Sequence, residues 1–439
     1  NNVILFTVDG DAESYLQCGT VSSLYATVDF GPKTNPESAF AVMRKFSPRG
    51  PLVNTEFYAG WLDNWGEPHQ MRSATSIANT LDKILSMNAS VNFYMYEGGT
   101  NFGFMNGAQY SGSVLHPNPT SYDYDAPLTE AGDTTTKFMI LRETISKHEA
   151  IPVIPIPANT TKFAYGKVQM TQISTFLDLV PKLAAPYGPV NATFPLTMEQ
   201  IEQNYGFVLY RTEIPKGFAQ STVTLSFTSV ARDRAIIYVG RVRQATLYRN
   251  PNQTEITLHI GEFLQLDILV ENVGRINYGP SICDPKGIVG NVTINGNILT
   301  NWQIYPINLA NVVSNLTSLL QNEYNNNVLD PFAADDFAPS FFHGEIPPNP
   351  KGNASDTFLQ LPGWSKGQAF VNGFNLGRYW PVVGPQETLF VPAIVLSPNQ
   401  QPSSLVLLEL DGAPCEFPSS CFVEFVASPS INGTVHPID

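Results

Sequence analysis

The feature that most constrains the fold is a change of texture at Ile151-Pro152-Val153-Ile154-Pro155-Ile156-Pro157. Before it, short apolar runs alternate with stretches whose apolar residues recur at helical spacing. The runs are Val3-Ile4-Leu5-Phe6-Thr7, Leu24-Tyr25-Ala26-Thr27-Val28, Pro51-Leu52-Val53 and Val91-Asn92-Phe93-Tyr94-Met95. The helical stretches are Ser38 to Phe46, Ser73 to Met87 and Thr134 to His148. Residues 1–150 thus read as roughly four strand–helix units, the pattern of a parallel sheet. A closed (β/α)8 barrel needs eight such units and about 250 residues. Half a barrel leaves two open edges and an uncovered inner face.

The proline run opens an extended linker over 151–189. Beyond it come many short strands with turn signals, such as Ser221 to Phe227, Ala235 to Gly240, Glu255 to Ile260, Ala369 to Gly373 and Ser404 to Leu410. Regular short strands suggest β-sandwiches. Two are expected, over 190–310 and 350–439, divided by a polar, Asn-rich linker over 311–349. The expected fold class is α/β plus all-β: half of a TIM barrel followed by two jelly-roll-like sandwiches.

Composition fits this reading. Only 14% of the 439 residues are charged, and the chain holds 35 Pro and 32 Gly, which suits a loop-rich β protein of the secretory route. A net charge of -14 argues against nucleic acid as a partner. Eight sequons, at Asn88, Asn159, Asn191, Asn252, Asn291, Asn315, Asn353 and Asn432, favour a glycosylated protein. No run approaches the ~18 apolar residues of a membrane span. The four cysteines and six histidines show no metal-ligand spacing, and Gly98-Gly99 lacks the rest of a phosphate loop, so neither metal nor cofactor is expected. Cys415 and Cys421 flank a Pro-containing turn closely enough for a small loop disulfide, whereas Cys283 has no evident mate and is expected to be a buried free thiol. The chain opens on Asn1-Asn2 with neither Met nor signal peptide, the expectation for a processed or incomplete chain.

The stretch richest in chemistry is Asn54-Thr55-Glu56-Phe57-Tyr58-Ala59-Gly60-Trp61-Leu62-Asp63-Asn64-Trp65, at the end of the third strand. It sets the carboxylate Glu56 among Phe57, Tyr58, Trp61 and Trp65. Aromatic faces stack on the apolar face of a pyranose, and an apolar wall tunes a carboxylate's proton affinity. Asn54, two residues before Glu56, shares its strand face and suits a supporting role. A lone Glu beside two tryptophans is nonetheless more often a loop acid than a catalyst. Asp123 and Asp125 alternate with Tyr122 and Tyr124, so the acids are expected to face away from the rings of an extended segment and to fix the loop.

Asn54-Thr55-Glu56-Phe57-Tyr58 with Trp61, Ser90 to Met95 with Gly98 to Phe102, and Thr120 to Leu128 resemble segments of the acidic β-galactosidases of glycoside hydrolase family 35, the animal lysosomal type among them. Tyr205 to Arg211, Val270 to Gly279 and Gly373 to Pro381 extend the likeness in order along the chain. The resemblance implies that the four units are the C-terminal half of the family's barrel. It implies a retaining exo-β-galactosidase, with Glu56 as nucleophile and with Tyr58, Tyr94, Tyr124, Trp61 and Asn54 around terminal β-linked galactose. The family's acid/base lies in an Asn-Glu pair after the fourth barrel strand. Asp9, Asp29, Glu97, Asp123, Asp125 and Glu130 are the other acids near strand ends, and none sits in such a pair. The acid/base is therefore expected on the N-terminal half of the same precursor, a partner of this chain. The resemblance also pairs Cys415 with Cys421 and gives Cys18 a mate in that missing segment. It implies a lysosomal or secreted location, a homodimer and association with a lysosomal protective carboxypeptidase. The alternative is a non-catalytic family member that has lost its acid/base half and binds galactose or protein.

Overall fold

The computed structural model describes residues 3–309, 339–398 and 400–438. The polar linker expected over 311–349 falls outside these residues as far as 338, as does Asn315. The chain divides into two compact units. The first comprises His69–Thr100, Ser121–Thr161 and the described residues up to Asp63; the second comprises Asn64–Pro68, Asn101–Thr120 and the described residues from Lys162 on.

In the first unit the elements run β1 (Phe6–Gly10), α1 (Glu13–Gly19), β2 (Tyr25–Asp29), α2 (Pro36–Phe46), β3 (Val53–Tyr58), α3 (Ala74–Ser86), β4 (Ser90–Tyr94), β5 (Gly99–Thr100), β6 (Ser121–Tyr122) and α4 (Thr136–Ser146). Strands β1 to β4 form one parallel sheet in sequence order. The helix starts were set by local chemistry. Asn35 accepts the Ser38 amide at 3.1 Å ahead of Pro36, Ser73 accepts that of Ser76, and Thr135 that of Phe138. Packing then joins helices to sheet through Leu16, Val28, Phe40, Met43, Phe57, Leu81 and Ile84, all essentially without solvent exposure. Burial of each such side chain contributes ~1.5–3 kcal/mol. On the outer edge, Phe6 and Val8 of β1 remain about half exposed, and Val3, Ile4 and Leu5 before it are mostly exposed.

The second unit holds two sandwiches. A six-stranded sheet, with 206–213 and 265–272 at its centre, faces a four-stranded sheet built on 222–227. Val208, Tyr210, Leu225, Ile237, Ile268, Val292 and Trp302 fill the space between them. The second sandwich pairs a five-stranded sheet, centred on 403–409, with a four-stranded one. Its core includes Phe342, Leu359, Trp364, Val371, Leu405, Leu407 and Phe425. The outer face of the six-stranded sheet (Phe207, Leu209, Leu269) meets Phe341, Phe370, Val406 and the helix Phe176–Leu183 in a third apolar layer.

Three stretches fold otherwise than their composition suggests. The linker expected over 151–189 has no element before Gly166, but Gly166–Gln169 and Thr171–Thr175 are then strands of the second sandwich. Ser340–Ile346, expected in the polar linker, pairs on both sides within the five-stranded sheet. Their partners lie far away in sequence, so local polarity and proline content hid them. Asn101–Thr120, read as part of the half-barrel, belongs to the second unit. There Gly107–Ser111 pairs with Arg275–Ile276, and buried Asn106 donates to Val273 O at 2.7 Å.

Candidate active site

Glu56 sits on β3 directly opposite Asp29 at the end of β2. Asn54 is fully buried and ties β3 to the end of β2. Its Nδ2 donates to Phe30 O at 3.1 Å and its Oδ1 accepts the Glu56 amide at 3.1 Å. The Tyr58 hydroxyl donates to Asp29 Oδ2 and lies 3.3 Å from Glu56 Oε2. One phenol thus stands between two carboxylates. Burial, followed by the negative charge of Asp29, pushes the Glu56 carboxyl above its ordinary range. Burial likewise raises Asp29, with Asp11 and Asp9 adding to the effect against the Tyr58 bond. Tyr58 is raised by burial and by its bond to Asp29, and stays a neutral phenol.

An aromatic chain continues from Tyr58. Its ring meets Trp61 edge-on at 5.4 Å, Trp61 tilts against Tyr124 at 6.1 Å, and Tyr124 meets Tyr94 edge-on at 5.6 Å. Tyr122 stacks on Tyr124 at 5.4 Å, and its hydroxyl lies 3.3 Å from that of Tyr94. Arg72 covers the Trp61 ring at 4.9 Å. Trp61 remains 39% exposed, so its indole is open to solvent in part. Glu56, Tyr58, Trp61, Tyr94 and Tyr124 therefore converge, with Asn54 beneath them. The other two aromatics around Glu56 in sequence do not. Phe57 points into the helix–sheet core, and Trp65 packs against Trp380 within the second unit. Alternation along β3 turns Phe57 away, and the chain leaves the first unit after Asp63.

The segment carrying Tyr122 and Tyr124 is not extended. Tyr124 and Asp125 both adopt left-handed backbone, with φ of 62° and 49°. That conformation lets the two rings stack and is held from several sides. Asp125 accepts the Arg72 amide and the Lys137 ammonium, each at 2.6 Å, and Asp123 accepts the Asp125 amide at 3.2 Å. The acids do fix the loop. A Cβ on Gly60 would stand 1.4 Å from Tyr124 O, so glycine is required where the loop crosses the end of β3. Beneath it, Glu130 accepts the hydroxyls of Thr100 and Ser121, the latter at 2.9 Å, and burial pushes its carboxyl up to about 8. Sequence reading had Asp29 and Glu130 only among the acids near strand ends, Asp29 as a supporting or loop-bonding group, and did not single out Arg72 or Tyr122 for the site. Asp29 carried a signal, as an acid ending a strand, but its partner is set by tertiary register.

Cys415 and Cys421 form a disulfide, while Cys18 and Cys283 are free and exposed. Cys283 is thus not the buried thiol expected, because residues 277–283 run over the surface before the chain turns inward at Lys286. Asn88, Asn159, Asn191, Asn252, Asn353 and Asn432 are exposed and Asn291 is partly so. Among the described residues no group of three or more His, Cys, Asp or Glu could hold a metal ion, and no helix is long and apolar enough to cross a membrane.

A parallel half-sheet with an acid at a strand end under tyrosines, followed by β-sandwiches, defines a glycosidase-like architecture. Residues 1–148 match Glycosyl hydrolases family 35, 195–308 the first all-beta domain of beta-galactosidase, and 339–401 its galactose-binding domain. The chain is 46% identical to a beta-galactosidase of Mus musculus over 98% of its own length and 67% of that protein. It is 47% identical to one of Bos taurus (98% and 66%) and 44% identical to one of Homo sapiens (100% and 65%). The chain belongs to glycosyl hydrolase family 35. It spans about two thirds of the length of these relatives.

Proposed function

We propose that the chain is the nucleophile-bearing part of a retaining exo-β-galactosidase that removes terminal β-linked galactose from glycoconjugates. The observation that carries this reading is the placement of Glu56 at a strand end, opposite Asp29 and under the Tyr58 hydroxyl. Glu56 attacks the anomeric carbon to form a galactosyl–enzyme ester, which water then hydrolyses. Tyr94, Tyr124 and Trp61 bound the sugar. The acid/base, by this reading, comes from a segment that precedes the chain and completes its barrel. Half-exposed Phe6 and Val8 on the outer strand are the surface such a segment would cover. The Cys415–Cys421 disulfide and the exposed sequons support a secreted or lysosomal route.

Glu56→Gln in the full-length protein tests the reading. Turnover of an aryl β-galactoside is expected to vanish while the far-ultraviolet circular dichroism is kept. Activity within a few-fold of wild type would remove Glu56 from the role. A second reading, a galactose-binding protein without catalysis, draws on the match of 339–401 to a galactose-binding domain. Galactose affinity undiminished by Glu56→Gln, with no turnover in the wild type, would favour it.

A further inference from the structure

Tyr58 has one hydroxyl proton and two carboxylates within its reach. It donates to Asp29 Oδ2, and Glu56 Oε2 lies 3.3 Å from the same oxygen. A phenol cannot give one proton fully to both. The second oxygen of Asp29, Oδ1, is buried with no hydrogen-bond partner. An orphaned carboxylate oxygen in a buried position is costly when the group is ionised and much less so when it carries a proton.

We propose that Asp29 is the positioning residue for Glu56, and that it acts by deciding which way the Tyr58 proton points. When Asp29 is protonated, its own O–H donates to Tyr58 Oη and the phenol proton turns to the Glu56 carboxylate. When Asp29 is ionised, it draws the phenol proton to itself, and Glu56 loses its donor. The inference rests on Glu56 being the nucleophile.

The surroundings say which carboxyl takes the proton. Asp29 faces Glu56 across the strand pair and is also pressed by Asp9 at the end of β1 and Asp11 just after it. Glu56 is pressed by Asp29, and the phenols of Tyr58, Tyr122 and Tyr124 stand around it. The nearby cation, Arg72, lies against Trp61 and donates to Tyr58 O at 3.3 Å. The buried Oδ1 of Asp29, without a hydrogen-bond partner, makes Asp29 the better proton holder of the two. As pH falls it takes up the proton first, which leaves Glu56 ionised and newly hydrogen-bonded. The device favours an ordered nucleophile in acid and weakens it toward neutrality.

The test is the pH dependence of inactivation by a 2-deoxy-2-fluorogalactosyl fluoride, measured on the full-length protein. Fluoride leaves without acid catalysis, so the rate reports the nucleophile rather than the acid/base. In the wild type the rate constant is expected to fall about tenfold or more from acid to neutral pH, the worth of one charge-assisted hydrogen bond. Asp29→Asn, whose amide donates to Tyr58 at every pH, is expected to hold the acid-side rate throughout. A wild-type rate that does not fall, or an Asp29→Asn profile lowered by one factor at all pH values with its shape kept, would overturn the proposal. Tyr58→Phe removes the bridge and leaves both carboxyls. It is expected to abolish the difference between acid and neutral rates, and a retained wild-type shape would also overturn the proposal, even if Asp29→Asn does not fold. Label found on a residue other than Glu56 would instead overturn the nucleophile assignment, so the two failures are distinguishable.

Discussion

Glu271, in the first sandwich, and Lys366, in the second, share a hydrogen bond of 2.8 Å with neither side chain open to solvent. Arg378 donates to the same carboxylate oxygen at 2.7 Å, and Arg234 lies 3.9 Å from the other. Burial alone would raise Glu271, but Lys366, Arg378 and Arg234 outweigh it and hold the carboxyl at about 2. Its stabilising contribution is therefore present above the unfolded carboxyl range and lost only as pH falls through about 2. The junction between the sandwiches is built to withstand acid.

Glu271→Gln is expected to cost about 3 kcal/mol or more, because it strands buried cations beside a neutral amide. Urea unfolding reads the loss directly. The double change Glu271→Leu with Lys366→Met is expected to cost less than the sum of the single changes. Strict additivity would deny the coupling.

Glu130 predicts a pH dependence of the opposite kind. Its carboxyl is raised to about 8 by burial, so the neutral form belongs to the folded state. Its contribution is fully present below the ordinary glutamate value and is lost as pH rises toward about 8. The thermal midpoint is expected to drop across that window in the wild type, and to drop less in Glu130→Gln. Equal slopes in the two proteins would refute this.

Asn54→Leu keeps the branched outline of the side chain but leaves Phe30 O and the Glu56 amide without their side-chain partner. A loss of about 1–3 kcal/mol per unpaired buried group is expected. The same change frees the backbone under Glu56, so labelling of Glu56 should slow more than binding of galactose weakens. Equal effects on both would make Asn54 a purely structural residue.

The family resemblance bears on Cys18, an exposed thiol on α1. A non-reduced peptide map of the full-length protein is expected to join Cys18 to a cysteine of the preceding segment. It should also recover Cys415 linked to Cys421. Cys18 recovered as a free thiol would count against the first pairing.

How far the sequence could be read depended on the range of the interactions. Strand–helix alternation made β1 to β4 and their helices legible, because period and caps such as Asn35, Ser73 and Thr135 are local. The convergence of Glu56, Tyr58, Tyr94 and Tyr124 was legible through motifs, and the Cys415–Cys421 pair through short spacing. Trp65 was misread as a neighbour of Glu56 because nearness in sequence says nothing of where a chain turns away after Asp63. Ser340–Ile346 was missed because its two partner strands, 171–175 and 403–409, lie far off on either side. The left-handed turn at Tyr124 and Asp125 escaped notice for a related reason. Non-glycine residues adopt it only when tertiary contacts, here from Arg72 and Lys137, enforce it.

The second sandwich takes strands from before and after the first: Gly166–Gln169 pairs with Phe422–Val426, and Thr171–Thr175 with Ser340–Ile346. One domain is in effect inserted into another, and this fixes an order of assembly during synthesis. As the chain leaves the ribosome, the segment 190–307 is complete and able to fold first. The two early strands must wait unpaired for later chain, 171–175 until 340–346 has emerged and 166–169 until 422–426 closes its sheet. During that interval they are open edges exposed to mispairing. Strand Phe422–Val426 therefore acts as the closing clasp of its sheet, and a premature stop anywhere before Phe422 would leave the early strand Gly166–Gln169 without its mate.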